Sequence, residues 1–181
     1  RIEMDKALSS GYIARCHKTL KEWGAPLEGW ICTWVYDIAE DQDDEFITFA
    51  ECELCGCAQV RYVHVMEHPD YFDYVEVGCV CAGVMEGDIL AAKERERLVK
   101  NRAKRRRFFP RRKWKTARNG NHFLKYQGET VFINHNGNGR YNVRCDEDTV
   151  WQYKGKPIDN FLSATYAAFD LIDPPLERIR L

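Results

Sequence analysis

The thirty residues from Cys52 to Cys81 constrain this chain more than any other stretch, because five of its eight cysteines fall there. Cys52-Glu53-Leu54-Cys55-Gly56 sets two thiols three residues apart with a glycine behind them. A tight turn of that spacing aims both sulfurs at one point, and the glycine tolerates the backbone conformation such a turn needs. Cys79-Val80-Cys81 offers a second pair further on. Between the pairs, residues 60–66 and 71–77 are rich in Val and Tyr and read as strands, with His68-Pro69-Asp70 as the turn. Closing that hairpin returns the second pair to the first. A helix starting near Cys81 then completes a knuckle–hairpin–helix module of the treble-clef or zinc-ribbon kind.

Two close pairs of soft donors, in a sequence with no apolar signal-peptide core at its start, point to zinc and a reducing cytoplasm rather than to disulfides. The expected ligands are Cys52, Cys55, Cys79 and Cys81, with His64 and Cys57 as rivals for the place of Cys79. Cys16, Cys32 and Cys145 are isolated within apolar patterns and read as buried structural thiols. Cys16 and His17 are neighbours, so they point to different helix faces and make a poor metal pair.

The residues Cys52-Glu53-Leu54-Cys55-Gly56, Arg61-Tyr62-Val63-His64-Val65-Met66-Glu67-His68-Pro69 and Val77-Gly78-Cys79-Val80-Cys81 resemble the CxxCG…VGxxC zinc modules of uncharacterised bacterial and phage proteins. The likeness covers about residues 50–90. It implies a structural zinc site and a bacterial or phage origin, and it implies no reaction.

A net charge of −1 hides a segregation. Residues 93–118 carry fourteen Lys/Arg against Glu94 and Glu96, a balance of +12, and the remaining 13 bases and 26 acids give −13. At 181 residues, with 45% apolar and 13% aromatic side chains, the chain is long enough for a real core. No apolar run approaches the roughly 18 to 20 residues of a membrane span.

The expected architecture is α+β in three parts. Residues 1–88 hold a packing helix over 1–24, with Ala7, Leu8, Cys16 and Leu20 inward and Ser10 as a cap, then strands at 30–38 and 46–50 and the zinc module at about 50–88. The acidic run at residues 40–45 lies between those strands as a solvated loop. Asp88 caps a long basic helix that Pro110 stops, and this helix and its arm make up residues 89–118. Residues 119–181 read as an antiparallel β-meander, with strands at 122–126, 130–134, 141–145 and 150–153, covered by one helix capped at Ser163.

Nucleic-acid binding follows as the leading functional expectation. A +12 segment displaces counterions from a phosphate backbone, and Phe108, Phe109 and Trp114 interleave the charges and could stack on unpaired bases. The expected contacts are Arg102, Lys104, Arg105, Arg106, Arg107, Arg111, Arg112, Lys113 and Trp114. The alternative is a zinc-ribbon adaptor that docks on a protein partner, or pairs with its own acids Asp41, Asp43 and Asp44, by charge complementarity. No enzyme is expected. The sequence lacks H-x-E before P-C-x-x-C, a Walker motif and a dinucleotide fingerprint, and Asn134-His135-Asn136 sits in a hairpin turn.

Overall fold

Ser9 turns the chain into helix α1, Ser10–Glu22, by accepting the Tyr12 amide proton on its hydroxyl, one residue ahead of the expected cap. The computed structural model describes residues 9–42 and 44–181, so the expected helix around Ala7 and Leu8, and the pairing of Asp43, lie outside the described residues. Cys16 and Leu20 are one turn apart and form the buried stripe of α1. Gly24, at φ 67°, sits in the left-handed region just past the helix end.

The chain divides into two compact units, one made of the chain up to Ala103 with Leu176–Leu181, the other of Lys104–Pro175. The division falls inside the basic helix, so residues 89–118 form no unit of their own. None of the described helices is long and apolar enough to cross a membrane.

In the first unit, β1 (Ile31–Asp37), β2 (Tyr62–Glu67) and β3 (Val75–Val77) form an antiparallel sheet in the order β1-β2-β3. Its core gathers Leu20, Trp30, Val63, Met66, Val77 and Met85. The strand expected at residues 46–50 does not form. Asp44–Phe46 makes a single 3-10 turn, and Ala50 alone bridges to Val60. Phe46 and Phe49 are 75% and 43% exposed, so that segment finds no apolar surface to alternate against. The strand expected at 71–77 is shortened for a local reason. His68 Nδ1 accepts from the Asp70 amide and Asp73 Oδ1 from the Tyr74 amide, which holds the preceding residues in turns.

Helix α2, Cys79–Glu86, follows β3 after Gly78 and ends at Gly87 in the left-handed region. Asp88 Oδ1 then accepts the Ala91 amide at the head of helix α3, Ile89–Phe108, as expected of a cap. The two helices are packed closely at their junction. A Cβ on Gly83 would lie 2.5 Å from Ile89 Cδ1 and 2.7 Å from its Cα.

The second unit starts with the end of α3 and a 3-10 turn at Phe109–Arg111. Five antiparallel strands follow as a meander in sequence order: β4 (Lys115–Thr116), β5 (His122–Tyr126), β6 (Glu129–His135), β7 (Tyr141–Cys145) and β8 (Asp148–Val150). Gln127 and Gly128, at φ 49° and 82°, form the two-residue turn between β5 and β6. Two positive φ values are what a type I′ hairpin requires. A small pair, β9 (Gln152–Tyr153) and β10 (Lys156–Pro157), precedes helix α4, Phe161–Ile172. The α4 cap is Asn160, whose side chain accepts from the Ser163 amide, three residues ahead of the expected Ser163. One sheet face and α4 enclose Phe109, Val131, Ile133, Val143, Ala168 and Phe169.

The Gly83 junction gives a direct test of this packing. Gly83→Ala forces backbone or Ile89 to move and should destabilise the first unit by about 1–3 kcal/mol, the usual range for overpacking. A thermal melt of the variant that superimposes on the parent would contradict the close approach.

Candidate metal centre

The turn at Cys52 is closed by two backbone hydrogen bonds, Gly56 N–H to Cys52 O and Cys52 N–H to Cys57 O, both at 2.8 Å. Gly56 takes φ 77° to complete it. The amides of Cys55 and Gly78 also donate to the Cys52 sulfur. The sulfurs of Cys52, Cys55 and Cys81 all lie within 4.8 Å of one another. A tetrahedral site with metal–sulfur bonds of about 2.3 Å needs sulfurs about 3.8 Å apart. The three are therefore gathered close to a coordinating arrangement.

A fourth thiol, from α1, reaches one member of this group without belonging to the mutual 4.8 Å set. Cys16 is 97% buried (3% exposed) and hydrogen-bonds the Cys81 sulfur, which is also bonded to Cys52. Tyr12 lies one turn before Cys16, and its hydroxyl is 2.9 Å from Cys81 Sγ. Three separate chain segments thus send sulfur to one place.

The protonation pattern expresses the crowding. The hydrogen bond to Cys81 raises the pKa of the Cys52 thiol, with burial adding to it. The Cys16 bond raises Cys81, whereas the same bond lowers Cys16. Burial first, and then the Cys81 hydrogen bond, raise the pKa of the Tyr12 phenol. Several buried thiols cannot ionise side by side unless a cation compensates them. The donors are soft and uniform, so the set fits a thiophilic divalent ion and not a hard one such as magnesium or calcium.

Cys79, expected as a ligand, is directed elsewhere. Residues two apart on a helix differ by about 200° in direction, so when α2 begins at Cys79 it presents Cys79 and Cys81 to opposite sides. Cys79 groups instead with His64 and Glu96, whose donor atoms lie within 4.8 Å of its sulfur. His64 is fully buried, and its Nε2 is 3.4 Å from Glu96 Oε1. Burial works to raise the Glu96 pKa, but the His64 bond and Lys100 at 3.3 Å outweigh it and hold the carboxyl below its ordinary range. Burial, followed by the Glu96 charge, pushes the Cys79 thiol up to about 12. Glu129, Cys145 and Asp146 form a third group at the end of the β6–β7 hairpin. Cys57 stays exposed, and Cys32 and Cys145 are buried thiols.

The expected nucleic-acid contacts fall into two sets. Arg102 faces Glu40 at 3.6 Å, Arg105 makes a two-pronged pair with Asp173 at 2.6 and 3.1 Å, and Arg106 is 4% exposed. The Arg106 guanidinium lies 3.9 Å from the Tyr166 ring centroid and donates to the Tyr153 hydroxyl. Trp114 packs edge-on against Phe109 and Phe161, and Phe109 is fully buried. Lys104, Arg107, Arg111, Arg112 and Lys113 remain exposed, with Phe108 between the guanidinium groups of Arg107 and Arg111. No ion pair engages these five cations among the described residues.

No family model, curated protein or solved structure matches this chain.

Cys55 and Cys57 are both exposed, yet only Cys55 belongs to the cluster. In protein loaded with zinc at pH 8, iodoacetamide should therefore label Cys57 rapidly and Cys55 at least tenfold more slowly. Stripping the metal with a chelator should bring Cys55 to the Cys57 rate, as read by peptide mass spectrometry. Equal rates in the loaded protein would contradict the cluster.

Proposed function

We propose that the chain is a zinc-stabilised nucleic-acid-binding protein, with Cys16, Cys52, Cys55 and Cys81 holding the metal. Four thiolates fill a tetrahedral shell and leave no position for water or substrate, which is the character of a structural rather than catalytic zinc. When bound, the ion supplies the positive charge that lets three buried sulfurs and the exposed Cys55 ionise together. The residues around it then serve to orient the sulfurs: the Cys55 and Gly78 amides and the Tyr12 hydroxyl donate to them. The thiols imply a reducing compartment, consistent with a cytoplasmic protein.

The observation that carries the nucleic-acid reading is the set of exposed cations Lys104, Arg107, Arg111, Arg112 and Lys113, none of them in an ion pair among the described residues, with Arg112 lying 4.5 Å from the Tyr126 ring centroid. Their neighbours Arg102, Arg105, Arg106 and Trp114 have structural partners, so the phosphate footprint narrows from nine residues to five. Five phosphate contacts contribute, from the arm alone, a salt slope of about −4.5 on duplex DNA and about −3.5 on a single strand. These contacts fix position and carry no sequence information.

Two measurements test the proposal. Cys16→Ser and Cys52→Ser should each lose bound zinc and melt at lower temperature, because structural metal binding is folding free energy. Cys79→Ser should keep one zinc per chain. Full zinc in Cys16→Ser and none in Cys79→Ser would reverse the ligand assignment. For the arm, the triple change Arg107→Gln, Arg111→Gln, Lys113→Gln should flatten the salt slope on duplex DNA by about three units. Affinity of the parent protein weaker than about 10⁻⁴ M at physiological salt for every DNA and RNA tried would end the nucleic-acid reading.

A further inference from the structure

The outward face of the five-stranded sheet in the second unit bears side chains that the core does not account for. Strand alternation sends Leu124, Val131, Ile133 and Val143 inward to α4, so their neighbours face the other way. Pairing across the meander then lines up one transverse row: Lys115 opposite Phe123, Phe123 opposite Phe132, Phe132 opposite Arg144, and Arg144 opposite Thr149. Lys125 and Thr130 are paired on one side of this row, and Asn134 and Asn142 on the other. Neither phenylalanine belongs to the apolar cluster of its unit, and both are half-buried.

The row has a definite chemistry. The Phe123 and Phe132 rings are 6.0 Å apart between centroids and inclined by 33°, and the Arg144 guanidinium lies 4.6 Å from the Phe132 centroid. Lys115, Lys125 and Arg144 are the charged residues at the outward strand positions, with no carboxylate among them, and none of the three forms an ion pair among the described residues. Asn134 Nδ2 donates to Asn142 Oδ1 at 3.0 Å and Asn142 Nδ2 donates in turn to Asn136 Oδ1, which leaves the Asn134 carbonyl oxygen and its second N–H beside the rings. Two rings, three cations and the Asn134 amide match the base faces, phosphates and base edges of an unpaired strand. A duplex hides its base faces within its own stack and can use only the cations. A protein partner would have to desolvate three lysine and arginine charges at the centre of its contact, where interfaces are depleted of charge.

We propose that this open sheet face binds single-stranded nucleic acid, with bases stacked on Phe123 and Phe132 and phosphates on Lys115, Lys125 and Arg144. The inference rests on the nucleic-acid reading and assigns the site that selects unpaired strands. It uses none of the five cations of the 104–113 arm.

The test uses the full chain with its zinc and fluorescence anisotropy on labelled dT12, rU12 and a 12-base-pair DNA duplex. Phe123→Ala and Phe132→Ala should each weaken dT12 and rU12 binding by roughly 5- to 150-fold, the range for losing one base stack. Duplex affinity should stay within twofold. If either alanine variant melts early, the pair Lys115→Gln, Lys125→Gln changes only exposed residues. It should flatten the single-strand salt slope by about 1.4 units, two contacts at about 0.7 each. Arg107→Gln, by contrast, should weaken all three ligands alike. Parent-like dT12 and rU12 binding in the Phe and Lys variants, beside a working arm, overturns the sheet site alone. Absence of binding by the parent protein to all three ligands overturns the sheet site and the nucleic-acid reading together.

Discussion

Gathering sulfur in a buried place is the constraint on which the first unit depends. Cys16, Cys52 and Cys81 are each at most 3% exposed, and Cys55 closes the group from the surface. Thiols hydrogen-bond weakly, so three of them in one group with Cys16 against Cys81 contribute little cohesion by themselves. A divalent ion held as proposed would convert the same cluster into a cross-link between α1, the 52–57 turn and the head of α2. That link joins chain positions far apart in sequence, where a fixed contact removes the most entropy from the unfolded chain.

Electrostatics in the second unit sorts the cations by what surrounds them. Arg106 is spent on packing: its guanidinium covers Tyr166 and reaches Tyr153, where an ammonium could not match the planar geometry. Arg105 is neutralised by Asp173. Two groups among the remaining cations, the 104–113 arm and the outward sheet face, supply different chemistry. On the proposed reading, an arm of cations beside Phe108 would attract any polyanion, whereas a row of rings and cations would favour a ligand with exposed flat faces.

Much of this was legible in the sequence, and the gaps have physical causes. The Cys52–Cys55 turn, the β2–β3 hairpin, the long helix after Asp88 and the β5–β6–β7 meander follow from local spacing and composition. The placement of Cys16 against Cys81 does not, because a lone cysteine on an amphipathic helix carries no spacing signal until the helix docks. Cys79 and Cys81 could be told apart only by where α2 begins, since a shift of one residue rotates both by about 100°. Trp114 and Phe109 read as stacking residues from their basic neighbours, but tertiary packing draws them into the core of the second unit. The row from Lys115 to Thr149 is invisible in sequence because strand register, not chain order, assembles it. Phe46 and Phe49 mark the opposite failure, apolar residues in a strand-like run that the fold leaves in solvent.

The central claim is that the metal is held by four sulfurs, one of them from α1. X-ray absorption at the zinc edge of the purified protein tests it most directly. Four sulfur neighbours at about 2.3 Å and no nitrogen or oxygen in the first shell is the expected result. A shell of two or three sulfurs completed by nitrogen or oxygen would contradict the account, and would point to His64 or solvent in the place given to Cys16.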